Sequence, residues 1–334
     1  MPLKFAFLGV WHSHAVMHVR EAAQRPNEFQ LIGMFEPDED VLQKRKAWSE
    51  LLPAIPVFPS LQAVLDSDAE AVVVEGHVYQ NLDYAERALE AGKHVLLEKP
   101  AGADLEHLTR VQKIAARKGL MLQMAYMWRY NPAIHEIIRL AKSGALGEIF
   151  YYRGHIPKPK TWHPELESEF GMYHAAVYFE MAGHLVDLMV AAMGEPKHIH
   201  PMLGKHYGDN PIHVDNAVVV HEFENGLGTI DTAAMHVGMD RTRRIEVYGT
   251  EGTAIHAQIG SGNLSLCLEN PFEDYQAGWQ QLSIKPPKEL PSLLRELSAC
   301  IRGVKEPDYT LSHDLAVQRV LMAGCGIKDG KALK

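Results

Sequence analysis

The sequence predicts an α/β protein of two domains: a doubly wound parallel sheet over residues 1–123, and over residues 124–334 an α/β domain with an open, mainly antiparallel sheet. Three observations predict it. A length of 334 residues, at roughly 100–200 per domain, implies about two domains. Up to about residue 123, short apolar runs alternate with helical patterns, the signature of βαβ units. After Tyr126 the apolar runs lengthen, alternate in polarity and are joined by polar turns, the pattern of antiparallel strands.

The elements follow in order. Lys4–Gly9 (KFAFLG) is a buried-type strand, His14 to about Gln24 a helix, Gln30–Phe35 (QLIGMF) a second strand and Asp40–Glu50 a helix. A short helix lies around Leu61–Leu65, followed by Ala71–Glu75 (AVVVE), almost uniformly β-branched and suited to burial on both faces. Asn81 is expected to cap a helix with Leu82, Ala85 and Leu89 inward, stopped at Gly92. Strand His94–Leu97 follows, and then Asp104 caps a helix ended by Gly119 before a fifth strand, Leu120–Met124. Beyond it Asn131–Ser143 reads as a helix and Phe170–Met193 as one apolar helical stretch. The strands of the second sheet are Glu148–His155, Asn216–Phe223, Leu227–His236, Thr242–Tyr248, Thr253–Ile259 and Leu264–Glu269. Pro291–Gly303 and Ser312–Gly324 supply the last helices, the pair expected to pack back on the first domain.

Composition excludes several classes. A net charge of −9 lacks the basic footprint of a nucleic-acid binder. No apolar run reaches the ~18–20 residues of a membrane span, and no secretory signal precedes the first strand, so a cytoplasmic protein without membrane partners is expected. Cys267, Cys300 and Cys325 are odd in number and lack C-x-x-C spacing, which reads as free thiols in packing roles.

The first strand ends at Gly9, where the Rossmann fingerprint G-x-G-x-x-G places its first glycine, but Trp11 and His14 stand at the second and third positions. The helix start still offers an anion site, to which Ser13 can add a hydroxyl and His12 or His14 a proton. Glu36 ends the second strand, 27 residues after Gly9, where a carboxylate accepts both ribose hydroxyls of NAD and repels the 2′-phosphate of NADP. Lys99 falls at the carboxyl end of a parallel strand, the edge at which open α/β sheets bind ligands. Glu180 and His184 are spaced i, i+4 and so share a helix face.

Gly92-Lys93-His94-Val95-Leu96-Leu97-Glu98-Lys99-Pro100, Met127-Trp128-Arg129-Tyr130-Asn131-Pro132, Ser143-Gly144-Ala145-Leu146-Gly147-Glu148-Ile149, Gly183-His184-Leu185-Val186-Asp187-Leu188 and Val247-Tyr248-Gly249-Thr250-Glu251-Gly252-Thr253 occur in this order along nearly the whole chain. Together they make the chain resemble the Gfo/Idh/MocA oxidoreductases, the sugar and polyol dehydrogenases related to glucose–fructose oxidoreductase and inositol dehydrogenase. The resemblance implies a Rossmann domain followed by a substrate and oligomerisation domain, NAD as cofactor in preference to NADP, and a homodimer or homotetramer paired through the large sheet. It also implies hydride transfer to or from a secondary alcohol of a sugar, polyol or related hydroxylated small molecule. In that reading Lys99 contacts the reacting hydroxyl and passes its proton, His184 serves as general acid or base beside it, and Glu180 orients one of them. Cofactor contacts are expected from Gly9, Trp11, His12, Ser13, His14, Glu36, Gly76, His77, Glu98 and Lys99, and substrate contacts from Lys99, Arg129 and His184. The proline- and aromatic-rich segment 157–173 reads as a loop over a polar substrate, adding Trp162, His163 and Tyr173, with His174 just beyond.

Two departures stand out. Many relatives carry Thr-Pro-Asn after the third strand, whereas this chain has Glu75-Gly76-His77, and both loops nearest the cofactor carry histidine. A metal on His12, His14, His77 and Glu180 is one alternative. Without an H-E-x-x-H signature, and with 19 histidines to cluster by chance, the sequence assigns no metal ligand. Other readings of the same scaffold are a non-redox lyase, isomerase or hydrolase with a bound nucleotide, and a sugar or NAD sensor without turnover.

Overall fold

The structure is a computed structural model, and it describes all residues except 48, 163–169, 171–172, 209–211, 286–290, 329–330 and 333–334. The chain divides into two compact units, one of Met1–Ala125 with Ser292–Leu311 and one of Tyr126–Pro291 with Ser312–Lys334.

In the first unit, β1 (Leu3–Leu8), β2 (Phe29–Phe35), β3 (Ala71–Val74), β4 (His94–Leu97) and β5 (Leu122–Met124) form an all-parallel sheet in the order β2-β1-β3-β4-β5. All four residues of β3 are fully buried, as are Phe5, Phe7 and Leu8 of β1, and each such side chain withdrawn from water contributes about 1.5–3 kcal/mol. The helices are α1 (Ala15–Gln24), α2 (Glu39–Lys46), α3 (Leu61–Leu65), α4 (Val78–Glu90) and α5 (Leu105–Lys118). Asp104 caps α5 by accepting from the His107 amide at 2.8 Å, and Gly119 ends it at φ 65°. Asn81 is not a cap: α4 starts at Val78, one turn earlier, so Asn81 lies inside the helix and is buried. The β-branched Val78 gave little helical signal, but it is 3% exposed, and burial overrides propensity. The returning helix Leu293–Ile301 is tied to this unit by the Arg295–Glu28 and Arg302–Glu70 ion pairs and by Gln123 Nε2 donating to Leu293 O at 3.0 Å.

The order of the parallel sheet puts its switch point between β1 and β3, whose carboxyl-end loops then lie side by side, the place where such sheets bind ligands. Those loops touch. A Cβ on Gly9 (φ +75°) would sit 2.3 Å from Gly76 Cα, so position 9 admits only glycine without moving backbone.

The second unit carries α6 (Pro132–Ser143), β6 (Ile149–His155), α7 (Ala176–Met181), α8 (Gly183–Met193), then β7 (His198–Gly204), β8 (Asn216–Glu222), β9 (Leu227–Ala233), β10 (Arg244–Gly249), β11 (Gly252–His256), β12 (Asn263–Leu268) and β13 (Gly278–Ser283), with the helix Leu311–Gly324 near the C-terminus. Its eight strands run β13-β12-β11-β10-β6-β9-β8-β7, antiparallel except for the β6–β9 pair. Two strands of this sheet escaped sequence reasoning, β7 and β13, and both are edges. Pro201 breaks the β7 pattern and is tolerated because an edge strand leaves one row of amides unpaired. Residues of the expected helix 170–193 form two helices interrupted at Ala182, which keeps helical dihedrals (φ −68°, ψ −19°). The interruption falls where Ala182 and Gly183 supply little side chain, and Gly183 packs against the Tyr126 ring and Leu321. Against the sheet, Tyr152 of β6 donates to Leu185 O at 3.0 Å, and Gly154 leaves room for the Leu185 side chain.

Candidate active site

In the first unit, β3 and β4 pair with Val74 opposite Leu97, so the next residues, Glu75 and Glu98, project together from the carboxyl end of the sheet. Both are buried, at 0% and 1% exposed, and Lys99 follows at 2%. Lys99 Nζ lies 3.9 Å from Glu98 Oε1, and the Lys99–Pro100 peptide is cis. Three imidazoles from the β1–α1 segment surround the carboxylates. His12 Nδ1 is 3.5 Å from Glu75 Oε2 and 3.7 Å from Glu98 Oε1, His14 Nδ1 is 3.2 Å from Glu98 Oε2, and His18 Nε2 is 3.2 Å from Glu75 Oε1. The His12 amide donates to Glu75 O at 2.9 Å, locking the two loops together.

This packing separates the two carboxyls. Burial and the neighbouring Glu98 push Glu75 up to about 8, so it holds its proton at neutral pH. Burial alone would raise Glu98 too, but His12, His14 and Lys99 outweigh it and hold Glu98 well below the usual carboxylate range. Burial brings His18 down to about 4, which leaves it neutral.

The other cofactor candidates lie around the same switch point. Glu36 is 7% exposed, its Oε2 accepting from the Val10 amide at 2.8 Å and its Oε1 from the Asp38 amide at 3.1 Å, and burial raises its pKa. Beside it opens a cleft of about 450 Å³ lined by Glu36, Pro37, Asp38, His77, Tyr79 and Gln80. Trp11, in place of the second glycine, stacks on His77 with ring centroids 5.3 Å apart, and Arg45 Nε donates to Val10 O at 3.1 Å beneath it. Ser13 is exposed at the start of α1.

In the second unit, His184 is 4% exposed in the first turn of α8, its ring stacked on Trp128 (centroids 5.0 Å, planes 17° apart) and edge-on to Tyr126 at 6.1 Å. Glu180 is 3% exposed on α7, so the i, i+4 pair spans the interruption rather than one unbroken helix. Arg129, expected as a substrate contact, is bound by buried carboxylates. Its Nε and Nη2 donate to Asp187 at 2.9 and 2.6 Å, Nη2 also to Asp314 at 2.6 Å, and His313 Nε2 lies 2.9 Å from Asp187. With Arg129 itself 3% exposed, this is a buried network that positions α8. Burial raises Asp314, whereas at Asp187 burial is outweighed by Arg129 and His313 and the pKa falls. Tyr173 and His174 are half-buried ahead of α7, with Tyr173 against Phe179 at 4.6 Å. Trp162 lies under the Lys158 ammonium, 3.5 Å from the ring centre, and His163 is outside the described residues.

Glu75, His18, Arg45, His313 and Asp314 are site residues to which sequence reasoning gave no role. Only Glu75 had a local signal, a carboxylate ending an otherwise apolar strand, and only His18 a spacing signal, i, i+4 from His14.

A parallel sheet with an acidic residue directly after β2, followed in the chain by a second unit built on a large antiparallel sheet, defines the class of two-domain nucleotide-dependent oxidoreductases. Family profiles specify it further. One described as "Oxidoreductase family, NAD-binding Rossmann fold" matches residues 3–126, and the "GFO/IDH/MocA C-terminal domain" matches residues 134–255. The chain belongs to the Gfo/Idh/MocA oxidoreductase family. It is 26% identical over 268 residues to the uncharacterized oxidoreductase YhhX of Escherichia coli, covering 80% of this chain and 74% of that one. To the scyllo-inositol 2-dehydrogenase (NAD(+)) of Bacillus subtilis it is 24% identical over 196 residues, covering 56% of this chain and 55% of that one. Among solved structures, a levoglucosan dehydrogenase in complex with NADH and levoglucosan superposes with a TM-score of 0.78 at 16% identity, over 98% of both chains, which shows the fold. Among the described residues, no helix is long and apolar enough to cross a membrane.

Proposed function

We propose that the chain is a dehydrogenase that moves a hydride between NAD and a secondary alcohol carbon of a sugar, polyol or related hydroxylated small molecule. The observation that carries this reading is Lys99: an ammonium 2% exposed, beside Glu98, at the carboxyl edge of the parallel sheet. A surface lysine has no reason to be there, whereas a proton-transfer group does. The residues fit the nucleotide at its ribose end, where Glu36 is fixed by two amides yet keeps lone pairs toward the adjacent cleft. NAD supplies the hydride acceptor or donor. The chain's part is to move the proton of the reacting hydroxyl: Lys99 Nζ is the candidate group of the first unit and the His184 imidazole that of the second, with Glu180 orienting one of them. Burial of each excludes competing water. Support for the substrate class comes from relatives named as inositol and levoglucosan dehydrogenases. The same reading carries a homodimer or homotetramer paired through the open face of the eight-stranded sheet, where Met202 and Val218 stand opposite each other and exposed.

The test is NADH formation over a panel of polyols and aldoses, with NAD binding measured separately. Lys99→Met and His184→Asn are each expected to lower kcat by roughly 10²–10⁴-fold with NAD affinity retained. NAD binding without NADH from any panel member would move the assignment to the sensor or the non-redox enzyme. Native turnover in Lys99→Met would remove the proton-transfer role.

A further inference from the structure

We propose that the first unit holds a divalent transition-metal ion of the zinc class on His12, His14 and Glu98. One ligand atom from each lies within 4.8 Å of the others, an arrangement produced by one turn after β1 and the residue after β4. The spacing suits a metal. Bonds of about 2.0–2.2 Å in tetrahedral geometry set ligand atoms roughly 3.3–3.6 Å apart, and the imidazole-to-carboxylate distances here are 3.2 Å from His14 and 3.7 Å from His12.

The hydrogen bonding points the same way. The His14 amide donates to His12 Nδ1 at 3.3 Å, which makes that nitrogen a lone-pair acceptor. The same nitrogen also faces two carboxyl oxygens, Glu75 Oε2 at 3.5 Å and Glu98 Oε1 at 3.7 Å. Glu98 Oε1 and both Glu75 oxygens are buried with no hydrogen-bond donor among the described residues. Lys99, 3.9 Å from Glu98 Oε1, is beyond hydrogen-bond reach of that oxygen. A buried carboxylate with one oxygen lacking a hydrogen-bond partner, converging with two imidazoles, is what a borderline cation such as Zn²⁺ satisfies. The His14 side chain, 21% exposed, marks the side from which the ion enters and on which a water completes its coordination. A second group of possible ligands, Asp187, His313 and Asp314, is filled by the Arg129 guanidinium and is not a metal site.

The experiment titrates Zn²⁺, and Co²⁺ as a coloured substitute, into chelator-treated full-length protein. Bound metal is counted by elemental analysis, and the visible d–d bands of Co²⁺ report nitrogen and oxygen ligation in a low-coordinate site. One ion per chain is expected. His14→Ala, at a partly exposed position, and Glu98→Gln, which keeps the shape, should each weaken binding roughly 100-fold, with circular dichroism verifying the fold. His107→Ala, at a surface pair with Glu86, should leave binding unchanged. Absence of binding at submillimolar metal overturns the proposal, as does binding that neither variant weakens, which would place the ion among the other histidines. NAD titrations of the same samples test the dehydrogenase reading separately, so either assignment can fail without the other.

Discussion

Arg129→Met removes the one guanidinium that Asp187 and Asp314 both bind. The two carboxylates are 1% and 4% exposed, so neither can exchange the lost partner for water without opening the core. Removing one member of a buried ion pair costs about 3–5 kcal/mol, because the charge left behind is desolvated and unpaired. His313 Nε2, 2.9 Å from Asp187, remains as its hydrogen-bond partner and offsets part of this, so the lower end of that range is expected. For a unit of this size, about 2–4 °C per kcal/mol translates the loss into a fall of roughly 6–12 °C in the melting temperature of the second unit. Differential scanning calorimetry at pH 7 measures it. The triple variant Arg129→Met, Asp187→Leu, Asp314→Leu removes all three charges and should recover most of the loss, since a packed apolar trio of similar volume is often as stable as the ions. A fall of less than 2 °C for the single variant, or a triple variant no better than the single, would refute the view that desolvation governs this network.

Three further outcomes follow from the structure. His221 on β8 is fully buried and brought down to about 4 by that burial, against about 6.5 when unfolded. Its folded pKa is depressed, so it contributes about 3 kcal/mol that is complete above pH 6.5 and lost as pH falls toward 4. The melting temperature of His221→Phe should therefore depend less steeply on pH across that window, and equal slopes would refute the assignment. Gly9→Ala places a Cβ 2.3 Å from Gly76 Cα at φ +75°, and is expected to destabilise the first unit by about 2 kcal/mol or more and to lower NAD affinity, read by calorimetry. Glu36→Ser should weaken NAD binding about tenfold while raising NADP affinity, and unchanged NAD/NADP preference would remove Glu36 from the ribose site.

The first unit was largely legible because its signals are local. Uniform apolar runs such as Ala71–Val74 can only be central parallel strands, and Asp104 and Gly119 mark the ends of α5 by cap chemistry alone. What escaped was decided by tertiary position. β7 contains Pro201 and β13 reads GWQQLS, and neither pattern resembles a strand until the sheet makes each an edge. The start of α4 at Val78 and the interruption at Ala182 likewise depend on what packs against them.

The site divides along the same line. Lys99 and Glu36 were readable because each is a polar residue at the end of an apolar strand, and the topology of a parallel sheet says where such ends go. The carboxylate network of Arg129, a residue expected to contact substrate, was not readable because its partners, Asp187 and Asp314, lie 58 and 185 residues away and no periodicity links them. Glu75 is the intermediate case. Its position was readable, but its consequence depends on Glu98 arriving beside it from the neighbouring strand and on His12 and His18 closing over both. A single carboxylate at that edge would be an unremarkable hydrogen-bond acceptor. Two of them, buried among imidazoles with both Glu75 oxygens and Glu98 Oε1 lacking a hydrogen-bond partner among the described residues, call for compensation by a proton or a bound cation, and that choice sets which chemistry the edge of the sheet can perform.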